Sequence, residues 1–274
     1  MTRPHIEQLA ARRGAWQRLS LPGFPRGLRC RVLSVDPASG ASSLLLKLAP
    51  GLRWPAGRGD SDLELYVLGG AIEVDGERHG AGHYRFVPRG VVVPPLASAR
   101  GCELLAFYND AAPSFGAADS DHPRAERDRL VVLDAGDLDW DAGPHAVPGR
   151  LVKRLHAEPG TGALTMLVAL APGFRRDAIA VCDAAVETYQ LAGSTWSLQG
   201  GRGTAGSYAW RAPFASFGPC ASERGALFLM RSDGELAETL HFDPWASAAE
   251  NRARAARALR LRRPALAAAV HARR

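Results

Sequence analysis

Apolar residues along the chain fall into short runs broken by Gly and Pro, not at the spacing of an amphipathic helix. Ser43–Leu48 (SLLLKL) and Leu164–Leu170 (LTMLVAL) are two such runs, closing on the Pro50-Gly51 and Pro172-Gly173 turns. Apolar stretches of that length bounded by turn residues read as strands. Glu64–Leu68 and Ala71–Val74 flank Gly69-Gly70, a hairpin signal, and Val74-Asp75-Gly76-Glu77 supplies a second turn. Many short strands separated by turns every ~8–12 residues predict a sandwich or barrel. Two stretches break the pattern. Asn109–Arg129, rich in Ala, Asp, Pro and Ser, reads as a linker. Residues 246–263 (ASAAENRARAARALRLRR) read as a helix that Pro264 stops or kinks.

The pattern repeats. RVLSVDPASGASSLLLKLAPG (Arg31–Gly51) returns as KRLHAEPGTGALTMLVALAPG (Lys153–Gly173) at an offset of 122 residues. ELYVLGG (Glu64–Gly70) returns as ETYQLAG (Glu187–Gly193) at 123, and HYRFVPRG (from His83) aligns with SYAWRAPF (from Ser207) at 124. Three blocks in the same order, with so little drift, mark a duplicated domain of roughly 100–120 residues, an ordinary domain size. The expected division is a first barrel over 1–112, a linker over 113–130, a second barrel over 131–245 and an Arg/Ala-rich tail over 246–274.

Composition sharpens this picture in three ways. Gly and Pro fill 48 of 274 positions, which disfavours a helical bundle. The net charge of +6 is local: residues 246–274 hold eight Arg and one Glu, so the rest sums to −1. A near-neutral body argues against nucleic acid as the partner of the whole protein. No uncharged apolar run reaches the ~20 residues of a membrane span. The opening MTRPHIEQLAARRG lacks the apolar core of a secretory leader. The four cysteines are widely spaced, without a CxxC pair, as expected of reduced thiols. A cytoplasmic protein is the expectation.

ELYVLGGAIEVDG followed by GAGHYRFVPRG resembles the cupin superfamily, and RPHIEQL and LMRSDGEL look similar to a bacterial two-cupin family. The resemblance implies an all-β fold of tandem duplicated cupin barrels (double-stranded β-helix, or jelly-roll), with a short C-terminal helical tail. It also implies a possible homodimer. In cupins, a His-x-His pair, a Glu four residues later and a third His after a Pro-x-Gly turn hold a metal. Counting back from Glu64 puts Arg58 and Asp60 at the paired positions, with Val93 at the third. Counting back from Glu187 gives Val181 and Asp183, with Phe217 at the third. Of eight ligand positions only Glu64 and Glu187 keep a family residue, so no cofactor is expected; Fe, Mn or Zn would need ligands these positions lack.

Strand residues two apart share a face. Arg58, Asp60 and Glu64 form one such set, and Val181, Asp183 and Glu187 another, both expected to point into the barrel. Two functional classes follow. In one, the second barrel binds a small apolar or aromatic metabolite without catalysis, walled by Tyr189, Tyr208, Trp210 and Phe217, with Glu64, Arg58 and Asp60 as further ligand-binding candidates. In the other, Glu187 and Asp183 act as a general acid/base pair for isomerase, cyclase or lyase chemistry, metal-dependent dioxygenation being the less favoured variant. Glu187 held by a barrel Arg, with a purely structural role, is the alternative to both. His79 and His83 flank Gly80 and Gly82 and read as exposed turn residues.

Overall fold

The computed structural model describes residues 3–143 and 146–262. The chain forms two compact units: residues up to Pro4 with Leu9–Asp141, and His5–Gln8 with the residues from Ala142 onward. The first unit has a seven-stranded sheet in the order Val131–Asp134, His83–Val87, Leu63–Gly70, Cys102–Tyr108, Ser42–Leu48, Leu28–Val35, Gln17–Arg18. A smaller sheet runs Leu52–Trp54, Leu96–Ser98, Ile72–Val74, Glu77–His79.

The second unit repeats both sheets. Its large sheet is ordered Ile6–Ala10, Ser207–Arg211, Val186–Ser197, Ala226–Ser232, Leu164–Leu170, Arg150–Ala157. Phe174–Arg176, Cys220–Ser222, the far end of Val186–Ser197 and Gly201–Thr204 reproduce the smaller one. The fold is therefore the expected tandem jelly-roll, followed by the helix Ala248–Arg262. The leading strands are exchanged: Ile6–Ala10, which precedes the first repeat, pairs in the second unit's sheet, while Val131–Asp134, which precedes the second repeat, pairs in the first's.

Local chemistry explains the turns. Asp75 (φ 53°) and Gly76 (φ 82°) both take positive φ, as a two-residue Asp-Gly hairpin turn requires. Gly70 and Gly193 are twins in the repeat, and both have positive φ. A Cβ on either would lie 2.2 or 2.1 Å from the carbonyl oxygen of Gly101 or Gly225, so only glycine fits. The Ser42–Leu48 run is buried on both faces except at Lys47, which is why it reads as continuous rather than alternating.

Asn109–Arg129 carries little regular structure but is tied down within the first unit. Gly116 exchanges backbone hydrogen bonds with Arg58, the His122 amide donates to Gly90, and Asp121 accepts from Val92 at 2.7 Å. The tail helix starts at a Ser247/Glu250 capping box: the Ser247 amide donates to the Glu250 carboxylate at 2.8 Å, and the Glu250 amide returns to the Ser247 hydroxyl. Its buried Asn251 donates to the Phe214 carbonyl, so the first turns of the helix are anchored. Pro264 and the rest of the tail lie outside the described residues. No helix among the described residues is long and apolar enough to cross a membrane.

Two expectations are overturned. Leu63–Gly70 and Ile72–Val74 do not pair as a hairpin across Gly69-Gly70: the chain passes there from the larger sheet to the smaller one. His83 is not an exposed turn residue; it is 3% exposed, stacked on His79 with ring centroids 3.9 Å apart. The hairpin returns the strand at His83 instead of after it, which turns the imidazole inward. Burial, the neighbouring His79 and Arg85 push its pKa down to about 4, against a smaller opposing pull from Asp134. The imidazole is thus neutral when folded, whereas an unfolded chain binds a proton near pH 6.5. Its contribution to stability is complete above pH 6.5 and is lost as the pH falls towards 4. Urea midpoints over that window should fall more steeply for the native sequence than for His83→Gln; parallel pH profiles would contradict the assignment.

Candidate functional site: a cavity in the second unit

Antiparallel register decides which side chains meet. Val186 pairs with Arg211 and Thr188 with Ala209 on one side; on the other, Thr188 pairs with Met230 and Gln190 with Phe228. Met230 and Phe228 pair in turn with Met166 and Val168. Directly paired residues share a face. Most of this face borders a cavity of about 180 Å³, closed further by Phe174, Ala180, Cys182, Trp196 and Phe217.

The cavity has a polar side. Arg211 lies with its guanidinium carbon 4.1 Å from the centre of the Phe217 ring, and its Nε is 3.7 Å from Glu7. Glu7 arrives on the exchanged leading strand and accepts a 2.7 Å bond from His5. Burial lowers the pKa of Arg211, opposed chiefly by Glu7. Arg176 donates to both oxygens of Glu238, at 3.2 and 2.7 Å; burial works against its charge, but the pairing outweighs this and raises its pKa. Arg150 also borders the cavity, its pKa lowered by burial and by Arg176 and raised in part by Glu238. Gln190, 1% exposed, adds an amide to the wall.

The twin space in the first unit is almost filled, at about 60 Å³. Phe24, Trp54 and Phe115 pack there with ring centroids 5.1–6.2 Å apart. Trp54 is the repeat twin of Arg176. His79, His83 and Arg85 stand where the second unit has Gly203, Ser207 and Ala209. Exchange of large side chains for small ones hollows the second barrel.

The sequence-selected residues are placed as follows. Phe217 lines the cavity, and Tyr208 borders it while its hydroxyl turns away to donate to Glu187 at 2.6 Å. Glu187, Tyr189 and Trp210 pair with Arg231, Leu229 and Glu187 on the opposite face of the sheet. Glu187 also takes a 2.6 Å bond from Arg231, the structural pairing weighed above. Asp183 is exposed. In the first unit Glu64 accepts from the Tyr84 hydroxyl at 2.7 Å and from Asn109 at 3.0 Å, a twin of the Glu187–Tyr208 arrangement. Arg58 donates to the Ser120 carbonyl, and exposed Asp60 donates its amide to Ser114. The expectation that these two sets point into the barrels is therefore corrected. The inward residues are their neighbours, and a one-residue step in register exchanges the faces of a strand.

Arg211, Arg176, Glu238 and Glu7 were not singled out in the sequence. Arg211 had a signal, as the charged end of an otherwise apolar SYAWR strand. Glu7 had none, because its place depends on a strand pairing some 200 residues away in sequence.

A metal does not fit this interior. The inward positions are Gly59, Leu63 and Val93 in the first unit, and Ala180, Cys182, Val186 and Phe217 in the second. Cys182 is the one donor at these positions, and burial, reinforced by Glu238 and Asp183, pushes its thiol pKa to about 12, against weaker opposition from Arg176 and Arg211. Elsewhere on the wall burial also raises the Cys220 pKa, and Glu7 and Glu238 face guanidinium groups. A divalent ion needs several converging, deprotonated ligands. Among the described residues no three His, Cys, Asp or Glu side chains come together in that way.

The family model described as a domain of unknown function, DUF4437, matches residues 12–239. No curated protein matches the chain. Among solved structures, a Nostoc punctiforme protein provisionally described as a dioxygenase superposes with a TM-score of 0.77 at 24% identity, over 83% of this chain and 82% of that one. Escherichia coli YlbA, of family DUF861, gives 0.57 at 18% identity, over 84% and 91%. A single-residue variant of Bacillus subtilis oxalate decarboxylase gives 0.57 at 14%, over 85% and 78%. These likenesses establish the cupin fold.

Replacing Glu187 by Gln removes half of a buried ion pair but leaves the cavity wall untouched. Glu187→Gln should lower unfolding stability by ~1–3 kcal/mol, measured by urea denaturation, and leave binding of any cavity ligand unchanged. A variant of native stability would contradict the structural role of the Glu187–Arg231 pair.

Proposed function

Because the chain belongs to the DUF4437 family and carries the cupin fold, we propose that it is a degenerate bicupin that binds a small metabolite, one aromatic ring in size with a single polar group, in the second barrel. The observation that carries this reading is the asymmetry of the duplicated interiors: about 180 Å³ in the second unit against about 60 Å³ in the first. An apolar cavity of ~150 Å³ is known to accept benzene. The walls here are mostly apolar, and polar groups are gathered around Arg211, which is the composition of a small-molecule site. The role is binding rather than catalysis. Both carboxylates bordering the cavity, Glu7 and Glu238, face guanidinium groups instead of standing ready to move a proton.

Phenol and benzoate are suitable probes, followed by calorimetry and by the fluorescence of Trp196 in the cavity wall. Both should bind saturably. Ala209→Arg, which installs the first unit's residue, should weaken both at least tenfold by filling the space. Arg211→Met should weaken benzoate about tenfold, the worth of one hydrogen bond to a charged group, and phenol less. Absence of saturable binding, or an Ala209→Arg protein that binds as well as the native one, would overturn the proposal.

A further inference from the structure

The filled interior of the first unit contains an imbalance of its own. Arg85 is 8% exposed and His83 3% exposed. They are two residues apart on the strand His83–Val87, so both side chains leave the same face of the sheet. Nε and Nη1 of Arg85 and Nε2 of His83 are buried without a hydrogen-bond partner among the described residues. The groups around them do not supply one. His79 stacks flat on His83. Asp134 pairs opposite His83 in register, but its Oδ1 accepts from the Gly136 amide at 2.7 Å, and no ion pair joins it to Arg85. Leu65 and Val132 face Arg85 across the sheet and offer only hydrocarbon. A buried guanidinium without a counter-charge is among the costliest arrangements a protein can hold. The twin strand carries Ser207 and Ala209 at these positions, so the arrangement is no requirement of the fold.

We propose that Arg85 and His83 form a binding site in the first unit for a small carboxylate monoanion, separate from the cavity of the second unit. The ligand's charge follows from Arg85 alone: Asp134 already stands opposite His83, while no charged group meets the single positive charge of the guanidinium, which a monoanion cancels and a dianion would overshoot. Its shape follows from the donors, since guanidinium N–H groups lie in one plane and match the planar oxygens of a carboxylate better than a spherical halide. The imidazole Nε2 supplies the second anchor.

The test is nuclear magnetic resonance of the histidine rings in the full chain, with the His83 signals assigned by their loss in His83→Gln. Sodium acetate is titrated against sodium chloride at equal ionic strength. Acetate should shift the His83 ring signals saturably, and chloride should not. Arg85→Met should weaken the acetate response at least tenfold; if that variant does not fold, Arg85→Lys decides, a threefold or greater weakening supporting the site and no change overturning it. Arg211→Met, in the other unit, should leave the response intact. Equal responses to acetate and chloride would mean that water or an adventitious ion satisfies Arg85, and would overturn the proposal. So would an acetate response that disappears in Arg211→Met, because acetate would then be reading the second unit's cavity.

Discussion

Successive side chains on a strand point to opposite faces of its sheet, so the pairing of Val186–Ser197 with its neighbours determines what the second barrel contains. With Val186 opposite Arg211 and Thr188 opposite Ala209, the interior receives an arginine, small residues and hydrocarbon. Glu187 is sent to the other face, where Tyr208 and Arg231 hold it. Moved by one residue, the same sequence would put two tyrosines and a glutamate inside and bury an arginine outside against nothing. The Glu–Tyr hydrogen bond recurs in the first unit as Glu64–Tyr84, so the same register is locked twice by the same polar contact. In both halves the glutamate thus fastens neighbouring strands of the sheet.

Given that shared register, the difference between the interiors comes down to a few substitutions. The second cavity is larger by about 120 Å³. At roughly 24 cal/mol per Å³ such a void would cost about 3 kcal/mol if it stayed empty and apolar. That is a substantial share of the margin of a domain this size. The first unit avoids the cost with Trp54, Phe115 and the His79–His83–Arg85 group. The second leaves the space unfilled and places charged groups along its edge. A ligand that bound only the folded second unit would stabilise it, which would link occupancy to folding.

Much of the fold was legible because it depends on local signals. Pro-Gly turns ended the runs at Leu48 and Leu170, Asp75-Gly76 supplied a two-residue hairpin, and three blocks in constant order disclosed the duplication. Ser247 and Glu250, three apart at the head of an Ala/Arg stretch, belong to the same class of signal. The interior was less legible, since it rests on the parity of a whole strand. Anchoring the alignment on Glu187 carried Asp183 with it and misassigned every alternate position, while Phe217, located from the separate Pro-x-Gly turn, did reach the cavity. His83 failed for a related reason: flanking glycines signal a turn, but they do not say on which residue the chain re-enters the sheet.

The exchange of leading strands explains why one part of the site lay beyond any local reading. Ile6–Ala10 and Val131–Asp134 hold equivalent edge positions beside the twin strands Ser207–Arg211 and His83–Val87, yet each precedes the other repeat in the chain. Because the two leading strands are not copies in detail, the exchange gives each barrel an edge chosen independently of its own repeat. The second barrel receives Glu7, which lies within 3.7 Å of Arg211 and offsets its charge. The first receives Val132 opposite Arg85 and Asp134 opposite His83. Had the strands not been exchanged, the acid would stand beside the repeat that lacks a cavity. The exchange thus decides the surroundings of both arginines: Glu7 stands beside Arg211, and Val132 stands opposite Arg85.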